Sequence, residues 1–223
     1  MTSAIIVAAG SSSRMGFNKL LAPLAGVPVL LRTLQAFAAC PEVDEIVVVA
    51  GDAVQQALTE WQRAAVPKLS QVISGGAARH LSVWQGIQAC SSSAEFIAVH
   101  DGARPLINPA QISKCIAAAR IHRAVACARP MTETLKRADS EGRITDSLDR
   151  TGAWVMETPQ VFQTALLVRA YQHILATEAL VTDEVSALQQ VGEPVFVVEN
   201  NDPNPKITFP ADLALAARLL PPP

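Results

Sequence analysis

The stretch IIVAAGSSSRMGFNKLL, residues 5–21, decides how the rest of the chain is interpreted. Its apolar start predicts a buried strand, and the small residues that follow predict a loop whose backbone N–H groups are open to a ligand. Two cations stand just beyond: Arg14 offers a planar fork and Lys19 a mobile point charge, both suited to phosphate. The stretch therefore predicts a polyphosphate site, with its closest backbone at Ala8, Ala9 and Gly10. A plain turn with solvated cations is the competing interpretation for this loop taken alone.

The spacing of the loop excludes the two common phosphate-binding fingerprints. In the GxxxxGK[ST] pattern counted from Gly10, Gly16 comes one place late and Phe17 stands where lysine is required. In the GxGxxG pattern, Ser12 occupies the second glycine position.

Bulk composition restricts the class of protein. The chain has 223 residues, of which 50% are hydrophobic and 17% charged, so it is long enough for one folded domain over residues 1–223. A formal net charge of -2 gives no general attraction to nucleic acid or to anionic membranes. The start MTSAIIVAAG has no signal-peptide pattern, and no apolar stretch reaches membrane-spanning length, so we expect a cytoplasmic protein. The four cysteines are widely spaced and are expected to be buried, reduced thiols.

Short β-branched runs alternate with segments of helical period. Strands are predicted at 4–8, 45–50, 68–73, 95–100 and 122–127, and near 193–200; helices are predicted at 29–40, 53–65, 79–90 and 109–121, and near 165–177, 183–191 and 210–220. The alternation predicts an α/β fold with a mostly parallel sheet in three layers. In such sheets ligands bind at the carboxyl ends of the strands, where the opening loop lies.

Residues 131–154 do not continue this alternation of strands and helices. Two polar, alternating segments flank a Ser140-Glu141-Gly142 turn signal and predict a β-hairpin. The hairpin is either a mobile surface excursion or an arm that packs on another subunit, and the residues alone favour neither.

Three further strand ends carry groups that suit a nucleotide. SGGAARHLSV offers the close backbone of Gly75 and Gly76 and the hydroxyl of Ser82, although a simple turn and helix cap also explains it. VHDGARP places an acidic side chain, Asp101, and a basic one, Arg104, at the same edge. Asp101 would hold a ribose hydroxyl or approach a metal, and the alternative is an Asx-turn partnered with Arg104. NNDPNPKIT supplies Lys206, which taken alone is no different from an ordinary loop lysine. Their convergence favours a ligand site.

These residues resemble one known family, 2-C-methyl-D-erythritol 4-phosphate cytidylyltransferase. The resemblance covers nearly the whole chain, through AAGSSSRMGFNK, SGGAARHLSV, VHDGARP, TETLK, LDRTGAW, TPQVF, VTDEVSAL and PKIT in this order. It implies a Rossmann-like nucleotidyltransferase fold with a projecting β-arm, and a homodimer formed through intertwined arms. It also implies that CTP and methylerythritol phosphate are joined with release of pyrophosphate, with Mg²⁺ as cofactor.

The resemblance also implies roles for individual residues. The three cations that would stabilise the charge on the phosphates are Arg14, Lys19 and Lys206. The cytosine and ribose would be recognised by Gly75, Gly76 and Ser82. Asp101 and Arg104 would lie in the ribose and methylerythritol region, with Asp101 a candidate metal contact. Thr134 and Arg150 on the arm would reach the methylerythritol phosphate in the neighbouring subunit, and Thr158 would be a further substrate-side residue. The chain departs from the family pattern at Asn18-Lys19-Leu20, at Leu81 and at Asp202.

The mechanism expected is in-line attack of an acceptor phosphate on the α-phosphorus of CTP. A phosphate monoester is already anionic near neutral pH, so no strong general base is needed, and the four histidines show no triad spacing. The alternatives are a cytidylyltransferase for ribitol phosphate or another sugar phosphate, a non-catalytic nucleotide-binding regulator, and an NAD-dependent oxidoreductase.

Overall fold

The computed structural model describes residues 1–10, 15–61 and 65–220. Its centre is a seven-stranded sheet built from β1 (Thr2–Ala8), β4 (Glu45–Ala50), β5 (Leu69–Ser74), β6 (Phe96–Asp101), β7 (Ala124–Pro130), β10 (Trp154–Gln163) and β11 (Phe196–Glu199). The strand order across the sheet is β11-β7-β10-β6-β1-β4-β5. A short pair, β2 (Pro23–Leu24) and β3 (Val27–Pro28), follows the opening loop.

Helices cover both faces of the sheet. They are α1 (Val29–Ala39), α2 (Asp52–Glu60), α3 (Arg79–Ala89), α4 (Pro109–His122), α5 (Thr164–Ala176), α6 (Glu184–Gln190) and α7 (Pro210–Leu219). Asn108 caps α4 by accepting from the backbone N–H of Gln111, with Pro109 in the first turn as predicted. None of the helices in the described ranges is long and apolar enough to cross a membrane.

Two apolar cores, one on each face of the sheet, make the fold three-layered. Along β1, Ile6 points into the core shared with α1 and α4, whereas Ile5 points into the core shared with α3 and α5. The central strands are buried on both faces, which explains their near-continuous apolar sequence. The predicted three-layer α/β architecture is confirmed.

The sheet is mostly parallel, as expected. β5, β4, β1 and β6 run parallel, and β11 runs parallel to β7. β10 runs antiparallel to both of its neighbours, β6 and β7. The carboxyl ends of β1, β5 and β6 therefore meet at one edge, and the sequence did not predict β10 as a strand.

The segment 131–154 forms the predicted hairpin. Its strands, β8 (Leu135–Ala138) and β9 (Ile144–Leu148), pair antiparallel outside the main sheet. Gly142 in the turn has φ +82°, a conformation that glycine adopts without strain. Every residue of β9 is exposed, including the apolar Ile144 and Leu148.

Candidate active site

A cavity of about 410 Å³ opens at the carboxyl ends of the parallel strands. The predicted site residues that line it are Ala8, Ala9, Gly10, Lys19, Gly76, Ser82, Asp101 and Lys206. They come from four separate stretches of sequence, because β1, β5 and β6 end at one edge and the loop after β11 returns to it. Ala103 and Thr208 also line the cavity and were not predicted.

The loop after β5 is built against the opening loop. A Cβ placed on Gly75 would lie 2.3 Å from the Ala9 side chain, so only glycine allows the two loops to approach this closely. The Ser82 hydroxyl accepts from the Gly76 N–H at 3.0 Å and donates to the Ala78 carbonyl at 3.1 Å. Ser82 therefore shapes the loop after β5, and that loop presents its backbone to the cavity.

Asp101 lies among three cations. Its Oδ2 is 2.8 Å from Lys206 Nζ and 3.6 Å from Arg104 Nε, and its Oδ1 is 3.4 Å from the Arg79 guanidinium. Burial alone would raise the pKa of Asp101, but Arg79, Lys206 and Arg104 together hold that pKa well below its usual range. The carboxyl group is therefore ionised throughout the physiological pH range.

His100 and Thr158 fix the backbone that carries Asp101. The Thr158 hydroxyl accepts from the Asp101 N–H at 3.1 Å and lies 3.0 Å from His100 Nδ1. Burial lowers the pKa of His100 to about 3, so the ring is neutral. The Thr158 proton then goes to Nδ1, and Nε2–H donates to the Arg104 carbonyl at 3.3 Å. The Thr158 hydroxyl therefore both accepts and donates within the protein.

Glu157 anchors the loop that carries Lys206. Its Oε2 accepts from Asn200 Nδ2 at 2.9 Å and from Asn204 Nδ2 at 3.1 Å, and all three side chains are buried. Asn204 in turn donates to the Thr158 carbonyl, and its own carbonyl accepts from Arg104 at 2.8 Å. These hydrogen bonds hold the loop in place, and the loop brings Lys206 within reach of Asp101.

The remaining predicted residues are Arg14, Arg104, Thr134 and Arg150. Arg14 falls outside the described residues. Arg104 supports the site from beside Asp101, and Thr134 and Arg150 are exposed on the arm, away from the cavity lining. Asp202, whose role the sequence left open, accepts from Asn108 Nδ2 at 2.8 Å and so ties its loop to the cap of α4.

Sequence reasoning missed Arg79, which lines the cavity and forms a two-pronged ion pair with Glu184 at 2.7 and 3.1 Å. Both residues stand inside motifs that were singled out, SGGAARHLSV and VTDEVSAL, but they lie 105 positions apart in sequence. Thr208 follows Lys206 by two places, and both residues line the cavity.

The fold and the cation-lined cavity at the strand ends define a nucleotidyltransferase. Residues 2–221 match the family described as 2-C-methyl-D-erythritol 4-phosphate cytidylyltransferase (IspD), and the chain belongs to this family. The curated protein of that name from Symbiobacterium thermophilum is 42% identical over 98% of this chain and 92% of its own length. The Prochlorococcus marinus protein is 40% identical over 97% and 96% of the two chains.

Solved structures agree with these relatives. The 4-diphosphocytidyl-2C-methyl-D-erythritol synthase of Anaerococcus prevotii superposes with a TM-score of 0.86 at 30% identity, over 97% of this chain and 94% of that one. The Thermus thermophilus 2-C-methyl-D-erythritol 4-phosphate cytidylyltransferase gives a TM-score of 0.80 at 27% identity, over 96% of both chains. The resemblance and the Rossmann-like fold expected from the sequence are confirmed.

Proposed function

We propose that this protein transfers the cytidylyl group of CTP to 2-C-methyl-D-erythritol 4-phosphate, a step in the biosynthesis of isoprenoid precursors. The products are 4-diphosphocytidyl-2-C-methyl-D-erythritol and pyrophosphate. The observation that carries the proposal is the cavity bordered by Lys19, Asp101 and Lys206, in a chain that matches the family from residue 2 to residue 221.

The reaction proceeds by in-line displacement at the α-phosphorus of CTP. An anionic oxygen of the methylerythritol phosphate forms the new P–O bond while the bond to the β-phosphate oxygen breaks, and pyrophosphate carries the electron pair away. No side chain has to remove a proton, which suits a site whose histidine, His100, is buried and engaged within the protein. Lys19, Lys206 and Arg14 act by holding the two anions together and by stabilising the charge that builds up.

Mg²⁺ fits the donor set of the cavity. Asp101 is the one carboxylate among the described lining residues, and no cluster of three acidic, histidine or cysteine side chains occurs within the described ranges. Mg²⁺ in phosphate-transfer sites is typically held by one or two carboxylates and by the substrate phosphates. When bound, it would supply further charge neutralisation on the triphosphate; chelation with EDTA should abolish turnover, and added Mg²⁺ should restore it.

We also propose a homodimer formed through the arm. β8 and β9 expose nearly all their side chains, and a lone two-stranded hairpin is marginally stable in water. A second copy would cover the apolar residues Ile144, Leu148 and Trp154. It would also bring Thr134 and Arg150 to the acceptor phosphate in the partner's cavity, which supplies a reason for their distance from the cavity of their own chain.

Pyrophosphate release tests the function directly. Purified protein with Mg²⁺ is assayed with CTP, GTP or UTP against methylerythritol phosphate and ribitol phosphate in turn. Turnover that requires CTP and methylerythritol phosphate is the expected result. A preference for ribitol phosphate would reassign the acceptor, and no turnover with any pair would favour a nucleotide-binding regulator.

A further inference from the structure

The Arg79 guanidinium bridges two carboxylates, that of Glu184 in α6 and that of Asp101 at the end of β6. It is 2.7 and 3.1 Å from the two oxygens of Glu184 and 3.4 Å from Asp101 Oδ1. We propose that Arg79, held by Glu184, is a positioning residue of the cytidylyl transfer that acts through Asp101. This inference rests on the proposed function.

Glu184 is a rigid anchor for the guanidinium. It lies at the first turn of α6 with no exposed surface, and the Tyr171 hydroxyl donates to its Oε1 at 3.0 Å. The preceding residue, Asp183, caps α6 and also accepts from Gln160 of β10 at 3.0 Å. Asp183 therefore fixes the N-terminus of α6 to the sheet, and Glu184 fixes Arg79 at the rim of the cavity.

The consequence for catalysis lies in the charge on Asp101. Besides offering a ligand to Mg²⁺, Asp101 competes with the triphosphate for Lys206, whose Nζ lies 2.8 Å from Asp101 Oδ2. Arg79 approaches the other oxygen, Oδ1, and so compensates Asp101 independently of Lys206. The Lys206 ammonium, with three donors, is then available to phosphate without leaving Asp101 uncompensated.

The alternative is that the Arg79–Glu184 pair only stabilises the fold. A double variant separates the two roles, because Arg79→Gln alone leaves the buried Glu184 carboxylate without its ion-pair partner, whereas Arg79→Gln with Glu184→Gln removes both charges together. The amide oxygen that Glu184→Gln introduces can still accept from the Tyr171 hydroxyl. Thermal unfolding and kcat/KM for CTP are measured on wild type, on each single variant and on the double variant.

We expect the single variants to unfold at lower temperature and the double variant to recover most of that loss. Its kcat/KM should nevertheless stay about 10–100-fold below wild type, the size of effect that a displacement of about 1 Å produces. In an Asp101→Asn background, adding both substitutions should change kcat/KM by less than about threefold, because residues that act through one another are not additive. Arg79→Lys keeps a positive charge beside Glu184 but lacks the fork that reaches both carboxylates, and it should also lose kcat/KM.

Three results would overturn the inference. Recovery of both stability and activity in the double variant would make the pair purely structural. A full loss repeated in the Asp101→Asn background would mean that Arg79 acts directly on substrate. A folded wild type that releases no pyrophosphate from CTP would remove the proposed function and this inference with it, whereas the first two results would leave the function intact.

Discussion

At the scale of single residues, Lys206 shows how a loop cation becomes part of a site. It reaches Asp101 because Asn204, two places earlier, is held by Glu157 and Arg104. We predict that Lys206→Ala folds normally and lowers kcat by about 10²–10³, the loss seen when one preorganised charge-stabilising donor is removed. Steady-state pyrophosphate release measures it.

Lys68→Ala is the matched control. Lys68 immediately precedes β5, at the opposite end of that strand from the cavity, and it donates to the Cys40 carbonyl. The control should keep wild-type kcat. Comparable turnover in Lys206→Ala and Lys68→Ala would contradict a catalytic role for Lys206.

Gly75 is required for a steric reason. Gly75→Ala places a methyl group where the Ala9 side chain lies, at 2.3 Å, so the loop after β5 and the opening loop must separate. We predict a loss of about 10–100-fold in kcat/KM for CTP with little change in overall secondary structure. Kinetics and circular dichroism on the same preparation test this.

Gly51→Ala provides the comparison, because a methyl group there meets nothing within 4 Å and Gly51 lies outside the cavity lining. It should leave kcat/KM unchanged. A Gly75→Ala enzyme as active as Gly51→Ala would show that the two loops do not need their present contact.

At the scale of elements, the arm is a hairpin whose proposed function depends on a second copy. We predict that mixing Lys206→Ala subunits with Arg150→Ala subunits restores activity to about one quarter of wild type, because in half of randomly formed dimers one site receives both intact residues. Each variant alone should be nearly inactive. The measurement is pyrophosphate release after co-refolding, and the mixed dimer, isolated by two different affinity tags, should reach about one half of wild type.

Isolated mixed dimers without activity would contradict the sharing of sites between subunits. A protein that sediments as a monomer at assay concentration, while fully active, would contradict the arm-mediated dimer itself. An Ile144→Lys variant is the independent check: it replaces an exposed apolar side chain of β9 with a charged one and should shift the protein towards monomer.

The elements that the sequence predicted well are those whose burial is uniform. β1 and β4 are apolar throughout because helices cover both of their faces, so their runs stand out. β10 was missed because its buried middle is Glu157-Thr158-Pro159-Gln160, a polar run containing a proline. Those polar residues are buried because they support the site, and local pattern carries no record of such long-range contacts.

The site residues likewise fall into those that the sequence predicts and those that it does not. Residues that end parallel strands could be predicted, because those ends must converge at one edge of the sheet. Glu157, Glu184 and Arg79 could not, because their partners lie many tens of residues away and their roles are set by folding. Sequence therefore pointed to the groups that face the ligand more readily than to the groups that hold them.

At the scale of the whole molecule, the buried titratable groups beside the cavity make stability depend on pH. The folded pKa of His100 is lowered to about 3, against about 6.5 in an unfolded chain, so between these values the unfolded state binds one more proton. His100 therefore contributes stability above about pH 6.5 that is lost as the pH falls towards 3. Asp101, with its pKa held below the usual range, contributes stability that is lost only below about pH 3.9, outside that window.

His100→Asn removes the titrating ring while keeping an oxygen that can accept from Thr158. Between pH 4.5 and 6.5 we predict that the free energy of unfolding of wild type rises with pH more steeply than that of the variant, by up to about 1.4 kcal/mol per pH unit. Urea unfolding at a series of pH values measures both slopes, and between about pH 7.5 and 8.5 the two should coincide. Equal slopes in the acidic window would mean that His100 is protonated in the folded protein, and that Thr158 cannot donate to its Nδ1 as the neutral ring requires.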